Sequence, residues 1–167
     1  MKHRTLTCIA AAVLLTTVTG SPIPIAIAAP RTLQVSASLN VTAGPPPACH
    51  VSVCTIRNHG TGHMTHFGNV TFTTVITADG NHAPCGPKSQ WVDHIVRTIH
   101  TIKGNLVLHE AGLQCPQPSV GPRVDAVWVV DGTDSTGIFA GAHGRGNDTA
   151  YPLQDTATPH GKITLAS

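Results

Sequence analysis

The chain has 167 residues, of which 11% are charged, and its formal net charge is +2 when its 11 histidines are neutral. A nucleic-acid-binding protein usually carries a clustered excess of lysine and arginine, and this sequence has no such cluster. The low charge content also argues against surface helices held together by salt bridges. We therefore predict no nucleic-acid partner.

The N-terminus has the pattern of a secretory signal peptide. A basic stretch at residues 2–4 precedes the apolar run Ile9 to Val18, and a small-residue site follows at 26–28. We predict that residues 1–28 are a signal peptide and that the protein is secreted. Because the apolar run is shorter than the roughly 20 residues of a spanning helix, we predict no membrane span.

Removal of that segment leaves about 140 residues, the size of one domain. Four cysteines remain, at Cys49, Cys54, Cys85 and Cys115. An even number of cysteines in an exported chain predicts two disulfides. No Cys-x-x-Cys spacing occurs, so we predict no metal site and no cofactor.

Cys85 and Cys115 lie in loops that contain proline or glycine, and in an up-and-down meander these loops fall at the same end. We favour a disulfide between them. The remaining pair, Cys49 and Cys54, would be roughly 16 Å apart along an extended strand, far beyond disulfide reach. Either that segment bends or the pairing crosses over.

Period-two alternation predicts strands along most of the chain. Leu33 to Val41 alternates cleanly and ends at Gly44-Pro45-Pro46-Pro47, so residues 29–48 form an N-terminal strand with a proline-rich connection, and 49–167 form the remainder of one domain. Further strands are predicted around Val70 to Thr77, Trp91 to Ile102, Leu106 to Leu108 and Arg123 to Val130, with turns at Asp79-Gly80-Asn81 and Lys103-Gly104-Asn105.

The segment Val130 to Arg145 is rich in glycine around the apolar run Ile138-Phe139-Ala140. Glycine tolerates the positive φ angles that tight bends require, so we predict two short strands that meet at tight bends. This segment is expected to form the penultimate hairpin of the domain.

No apolar stripe with helical spacing occurs after the signal segment, and threonine and valine dominate the sequence. The domain is therefore predicted to be all-β. Short strands separated by glycine and proline turns indicate either a closed barrel or a β-sandwich.

Two glycine-rich segments resemble a known family. Gly132-Thr133, the run Gly137 to Ala142 and Gly144 are similar to the Gly-Gly-Thr-Gly-x-Phe-x-Gly-Ala-x-Gly pattern of the allene oxide cyclase and dirigent barrel proteins. The stretch Gly60 to Gly68 resembles the Gly-x-x-Thr-His-Leu-Gly stretch of secreted bacterial proteins with an allene oxide cyclase barrel-like domain. The sequence departs from the family pattern at residues 134–136, which look like an insertion in a turn.

The resemblance implies an eight-stranded, closed, antiparallel barrel of the lipocalin-like type, with no exposed edge strand. Plant members of the family are a cyclase and proteins that steer radical coupling. Their catalytic residues do not map one by one onto this chain, so no catalytic residue is assigned.

A barrel of this size has room for one small ligand in its mouth. The candidate ligand-binding aromatic residues are Phe72, Trp91, Trp128 and Phe139, although aromatic side chains also fill cores. His66 is the fifth candidate because it matches the family stretch; alternatively it ties a bend to the backbone. His59 and His63 lie nearby, but the glycines between them disfavour a metal site.

Asp93 and Arg97 share a predicted strand face with Trp91. If that face lines the lumen, the charged pair would orient a ligand; if it faces outward, the pair is an ordinary surface contact. The apolar residues Val92 and Val96 on the opposite face favour the outward orientation.

Glu110 is the only glutamate in the chain and would serve as a general acid or base if it were buried in a pocket. The motifs of common hydrolases and nucleotide-binding enzymes are missing from the sequence. We therefore favour a non-catalytic role.

Three functions fit these patterns. We predict a secreted β-barrel that binds a small apolar molecule or acts through its surface. The first alternative is a cyclase or isomerase that folds a flexible substrate inside the barrel, with a polar group such as Glu110, Asp93 or a histidine at the lumen floor. The second alternative is a structural, envelope-associated protein with a filled barrel and an exposed apolar patch.

Overall fold

A computed structural model describes residues 29–79 and 84–167, so the predicted signal peptide lies outside the described residues, as do Gly80 and Asn81 of one predicted turn. The described chain contains ten strands: β1 (Arg31–Ala43), β2 (Ala48–His50), β3 (Val53–Met64), β4 (Gly68–Asp79), β5 (Gln90–Thr101), β6 (Gly104–Gln117), β7 (Gly121–Val130), β8 (His143–Tyr151), β9 (Thr156–Ala157) and β10 (His160–Leu165). Its helical content is two single 3-10 turns, Gly137–Phe139 and Pro152–Gln154.

Eight of the strands form a closed antiparallel barrel, as predicted, and not a sandwich. Strands β3 to β8 pair consecutively, β8 pairs with β10, β10 with β1, and β1 with β3. The short strands β2 and β9 lie outside this ring. Within the described part of the chain, no helix is long and apolar enough to cross a bilayer.

The predicted alternation in β1 determines which side chains enter the lumen. Leu33, Val35, Ala37 and Leu39 are buried, and the polar residues between them are exposed. In β4 the same alternation places Val70 and Phe72 inside the barrel and threonines outside it, with Thr74 as a buried exception. Side chains of successive strands thus fill one common core.

Strand β5 departs from simple alternation. A register shift between Val92 and Ile95 inserts a bulge, after which the inward positions change parity. Trp91 is therefore exposed while Val92 and Arg97 are buried. The predicted shared face of Trp91, Asp93 and Arg97 is wrong, and so is the outward orientation of Arg97.

The connection between β7 and β8 closes one end of the barrel. The predicted strand at Ile138-Phe139-Ala140 is wrong, because these residues lie in a 3-10 turn and the cap that follows it. Phe139 is fully buried there, and its ring lies 5.0 Å from that of Phe67 in the turn between β3 and β4. The predicted penultimate hairpin is present, because β7 and β8 pair as antiparallel neighbours. The residues that connect them fill one end of the lumen with Phe139, and we call this filled end the Phe139 plug.

Both disulfides are formed at the opposite end. Cys85 bonds to Cys115, as favoured from the loop positions, and Cys49 bonds to Cys54. The segment between Cys49 and Cys54 bends into a hairpin at Val51, which has a φ of 56°, so the two cysteine Cα atoms lie 4.0 Å apart. The segment therefore bends, as the first of the two alternatives required, and this bend brings Cys49 and Cys54 within disulfide reach.

Trp128 is the largest fully buried side chain of the barrel. Its indole nitrogen donates a hydrogen bond to the carbonyl oxygen of Asn147 at 3.0 Å. The ring lies against Gly146 of β8 and Gly161 of β10, where any Cβ atom would collide with it. The two glycines make room for the indole across the closure of the barrel.

We predict that Gly146→Ala destabilises the protein by about 1–3 kcal/mol, because its methyl group would collide with Trp128 and with the His160 carbonyl. Arg145→Ala, one residue earlier on the exposed face of β8, should change stability by no more than about 0.5 kcal/mol. Urea unfolding measures both values. Equal stabilities of the two variants would refute this packing role.

We also predict that the Cys85–Cys115 bond contributes more stability than the Cys49–Cys54 bond. The first spans 30 residues and the second 5, so the first removes more chain entropy from the unfolded state, by about 1–2 kcal/mol. Double serine variants of each pair, compared by urea unfolding, test this. A larger loss from the Cys49–Cys54 pair would contradict it.

Candidate functional site

The half of the lumen opposite the Phe139 plug contains a cavity of about 230 Å³. Most of its wall is apolar, formed by Val41, Ile56, Phe72, Ile76, Val92, Ile95, Val124 and Ala150. Polar amide side chains of Asn58, Gln90 and Gln114 also line it. Such a concave, largely apolar space with few polar groups is typical of a small-molecule site.

Three ionisable side chains meet inside the barrel next to this cavity: Arg97 from β5, Glu110 from β6 and Asp148 from β8. We call them the lumen triad. Nη2 of Arg97 lies 2.7 Å from Oδ2 of Asp148 and 3.3 Å from Oε2 of Glu110, and it donates to both. Nε of Arg97 is 3.2 Å from Oε1 of Glu110. All three side chains are at most 6% exposed.

The lumen triad has an excess of negative charge when all three groups are ionised. Burial raises the pKa of Glu110 to about 8, and the Arg97 guanidinium only partly offsets this effect, while Asp148 adds to it. Burial alone would lower the pKa of Arg97, but the two carboxylates more than compensate and raise it. At neutral pH we therefore describe Arg97 as charged and Glu110 as mainly protonated.

Several polar atoms of the lumen triad have no hydrogen-bond partner among the described residues. They include Nη1 of Arg97 and Oδ1 of Asp148. Nε of Arg97 is within ion-pair distance of Glu110 but lacks hydrogen-bond geometry. Since buried polar groups are normally paired, each of these atoms has the capacity for a further hydrogen bond.

The five predicted ligand-binding residues lie in different places. Phe72 lines the cavity, and the Arg97 guanidinium carbon is 5.9 Å from the centre of its ring. Trp128 and Phe139 are fully buried in the core of the barrel and do not line the cavity. Trp91 is 40% exposed, on the outer surface.

His66 occupies the turn between β3 and β4, with a φ of 69°. Its Nε2 atom is 3.0 Å from the carbonyl oxygen of Gln34. This contact agrees with the alternative prediction that His66 binds a bend to the backbone and not a ligand. The neighbouring His59 and His63 are exposed on β3. Among residues 29–79 and 84–167, no group of three histidine, cysteine or acidic side chains could hold a metal ion.

Asp148 was not among the residues predicted from the sequence, whereas Glu110 and Arg97 were considered as candidates. A signal for it was present, because β8 alternates Gly144, Gly146, Asp148 and Ala150 on one face. Small residues at this spacing mark the crowded inner face of a barrel strand, and an aspartate among them is a buried polar residue. Asp93, by contrast, is exposed beside the bulge and contributes nothing to the lumen.

Comparisons of the chain with protein-family models, curated proteins and solved structures found no match. The assignment of a function therefore depends on the geometry of the lumen alone.

We predict that stability falls as the pH rises towards 8. Burial raises the pKa of Glu110 from an ordinary 4.5 to about 8, so the folded state holds a proton that the unfolded state releases. The stabilisation from this proton is complete below pH 4.5 and is lost as the pH passes through about 8, a change on the order of a few kcal/mol.

Urea unfolding between pH 5 and 9 measures this slope, and Glu110→Gln should flatten it because the amide imitates the protonated acid. Asp125→Asn, on the outer face of β7, should retain the slope of the wild type. An unchanged slope in Glu110→Gln would show that Glu110 is not the group responsible.

Proposed function

We propose that this protein is a secreted β-barrel that binds a small, largely apolar molecule in its lumen. The observation that carries the proposal is the cavity of about 230 Å³ beside the lumen triad. A cavity of roughly 150 Å³ is large enough to hold benzene, so this one has room for a ligand somewhat larger than one ring.

The shape of the barrel supports this function. The Phe139 turn closes one end, and among the described residues the cavity opens at the other end, beside Gln90 and Gln114, which we call the mouth. Apolar walls favour the hydrocarbon part of a ligand, and the lumen triad at the inner end of the cavity favours a polar head group.

Secretion is part of the proposal. Two disulfides support an oxidising compartment, in agreement with the predicted signal peptide. Kinship with the allene oxide cyclase and dirigent barrel proteins is likewise proposed; an eight-stranded closed barrel is the fold that this resemblance implies.

A cyclase or isomerase is the second candidate, and one observation favours it. Glu110, protonated at neutral pH inside the barrel, has the properties of a general acid. Proton transfer requires a ligand atom within about 3.2 Å of the carboxyl group, directly or through one water molecule. A crystal structure with a bound ligand that approaches Glu110 in neither way would remove this candidate.

We predict that n-hexanol binds saturably in the lumen and that Val124→Trp weakens this binding at least about tenfold, because the indole would occupy the cavity. Isothermal titration calorimetry of the disulfide-bonded protein measures the affinity. Val127→Trp is the matched control, because Val127 lies on the outer face of the same strand and is 62% exposed.

The proposal requires wild-type-like binding by Val127→Trp and folded protein for both variants, which circular dichroism verifies. If the wild type shows no saturable uptake of hexanol or of a similar small apolar probe, or if Val124→Trp binds as tightly as the wild type, the lumen is not the binding site.

A further inference from the structure

Acidic side chains outnumber basic ones around the cavity. The ionisable side chains that line it are Arg97, Asp148 and Asp155. Glu110 contacts Arg97 but does not itself line the cavity. No lysine or histidine of the described residues lines this cavity. Fully ionised, these groups therefore place one positive charge against three negative ones, of which only Asp155, at the mouth, is exposed to solvent.

Asp148 is the buried carboxylate on the cavity wall. Its side chain is 3% exposed, and its Oδ2 atom accepts the hydrogen bond from Arg97. In its protonated form the Glu110 carboxyl group also hydrogen-bonds to Asp148, and apart from that group no described residue donates to Oδ1. If Glu110 loses its proton, Asp148 loses that donor, which is costly for a buried carboxylate, so a charged donor supplied by a ligand would be favoured there.

The walls beside Asp148 suit the rest of a cationic molecule. Phe72 faces the cavity with an aromatic ring, and such rings attract cations while also packing against alkyl groups. Ile95 of β5 and Ala150, two residues after Asp148 on β8, add apolar surface. A short alkyl chain would therefore extend from Asp148 along the apolar wall towards the mouth.

We propose that the cavity binds a small apolar monocation, of the primary alkylammonium class, whose ammonium group pairs with Asp148. This inference rests on the proposed function of the lumen as a small-molecule site. In the complex, cations and carboxylates would alternate in the order ammonium, Asp148, Arg97, Glu110. Two positive and two negative charges would then balance inside the barrel.

An anionic ligand is disfavoured by the same arrangement. Arg97 is the only cation on the cavity wall among the described residues, and it already pairs with Asp148 and contacts Glu110. With Glu110 protonated, Asp148 already balances Arg97, so a ligand carboxylate would leave an unbalanced negative charge in the buried site.

Binding of the cation should expel a proton. In the free protein, burial and Asp148 favour the protonated form of Glu110, whose pKa lies at about 8. An ammonium group beside Asp148 adds positive charge and favours the ionised form of Glu110. The groups that face one another here are Glu110 from β6, Arg97 from β5 and Asp148 from β8, with Asp155 at the mouth.

The test compares three probes of matched length, n-hexylammonium, n-hexanol and n-hexanoate, by calorimetry on the disulfide-bonded protein. At pH 7 we expect hexylammonium to bind at least about tenfold more tightly than hexanol, and hexanoate to bind most weakly. Measurements in two buffers of different ionisation enthalpy should show the release of close to one proton per bound hexylammonium and none with hexanol.

Asp148→Asn should remove the preference for hexylammonium over hexanol, while the outward-facing Asp125→Asn should retain it. Glu110→Gln provides a second variant in case Asp148→Asn does not fold: it should abolish the proton release. These results together would support the assignment of a cation site.

The outcomes separate the two proposals. If hexanol binds but hexylammonium binds no more tightly, or if hexanoate binds best, the cation assignment is wrong and the binding function stands. If none of the three probes binds, the proposed function fails and the cation assignment fails with it.

Discussion

The lumen depends on one constraint: a guanidinium group inside the barrel has to be neutralised there. Removing Arg97 from water is costly unless carboxylates surround it, and Glu110 and Asp148 do so from two other strands. These contacts connect β5, β6 and β8 across the barrel and fix the position of polar groups in an otherwise apolar interior. The two carboxylates also overcompensate a single cation, and together with burial this raises the pKa of Glu110.

The two halves of the barrel have different roles. Towards the closed end, Phe67, Phe139 and Ile163 fill the lumen, and Trp128 packs on two glycines of neighbouring strands. Towards the mouth, the side chains do not fill the lumen and leave a cavity. The lumen triad lies where the packed half meets the open half. An apolar wall and a polar inner end together favour a small amphiphilic molecule.

The sequence predicted the fold better than the site. Alternation from Leu33 to Val41 is a local pattern, and the predicted strand agrees with the structure. The Cys85–Cys115 disulfide was also predicted correctly, although Cys115 lies near the end of β6 and not in a loop. No local sequence pattern indicates the bulge between Val92 and Ile95, so the residues on the inner face of β5 were predicted incorrectly. Asp148 contacts Arg97 across 51 residues, and the cavity results from packing among many strands. Non-local relations of this kind cannot be read from periodicity.

The central claim is that Glu110 is held protonated by burial beside Asp148. Glu110 is the only glutamate in the chain, so labelling with ¹³C-glutamate gives one side-chain carboxyl signal for this residue. Its NMR titration should show a midpoint near pH 8 in the folded protein. A midpoint near the ordinary value of 4.5 would mean that the carboxyl group is solvated or fully neutralised by Arg97, and it would contradict a lumen in which Glu110 keeps its proton at neutral pH.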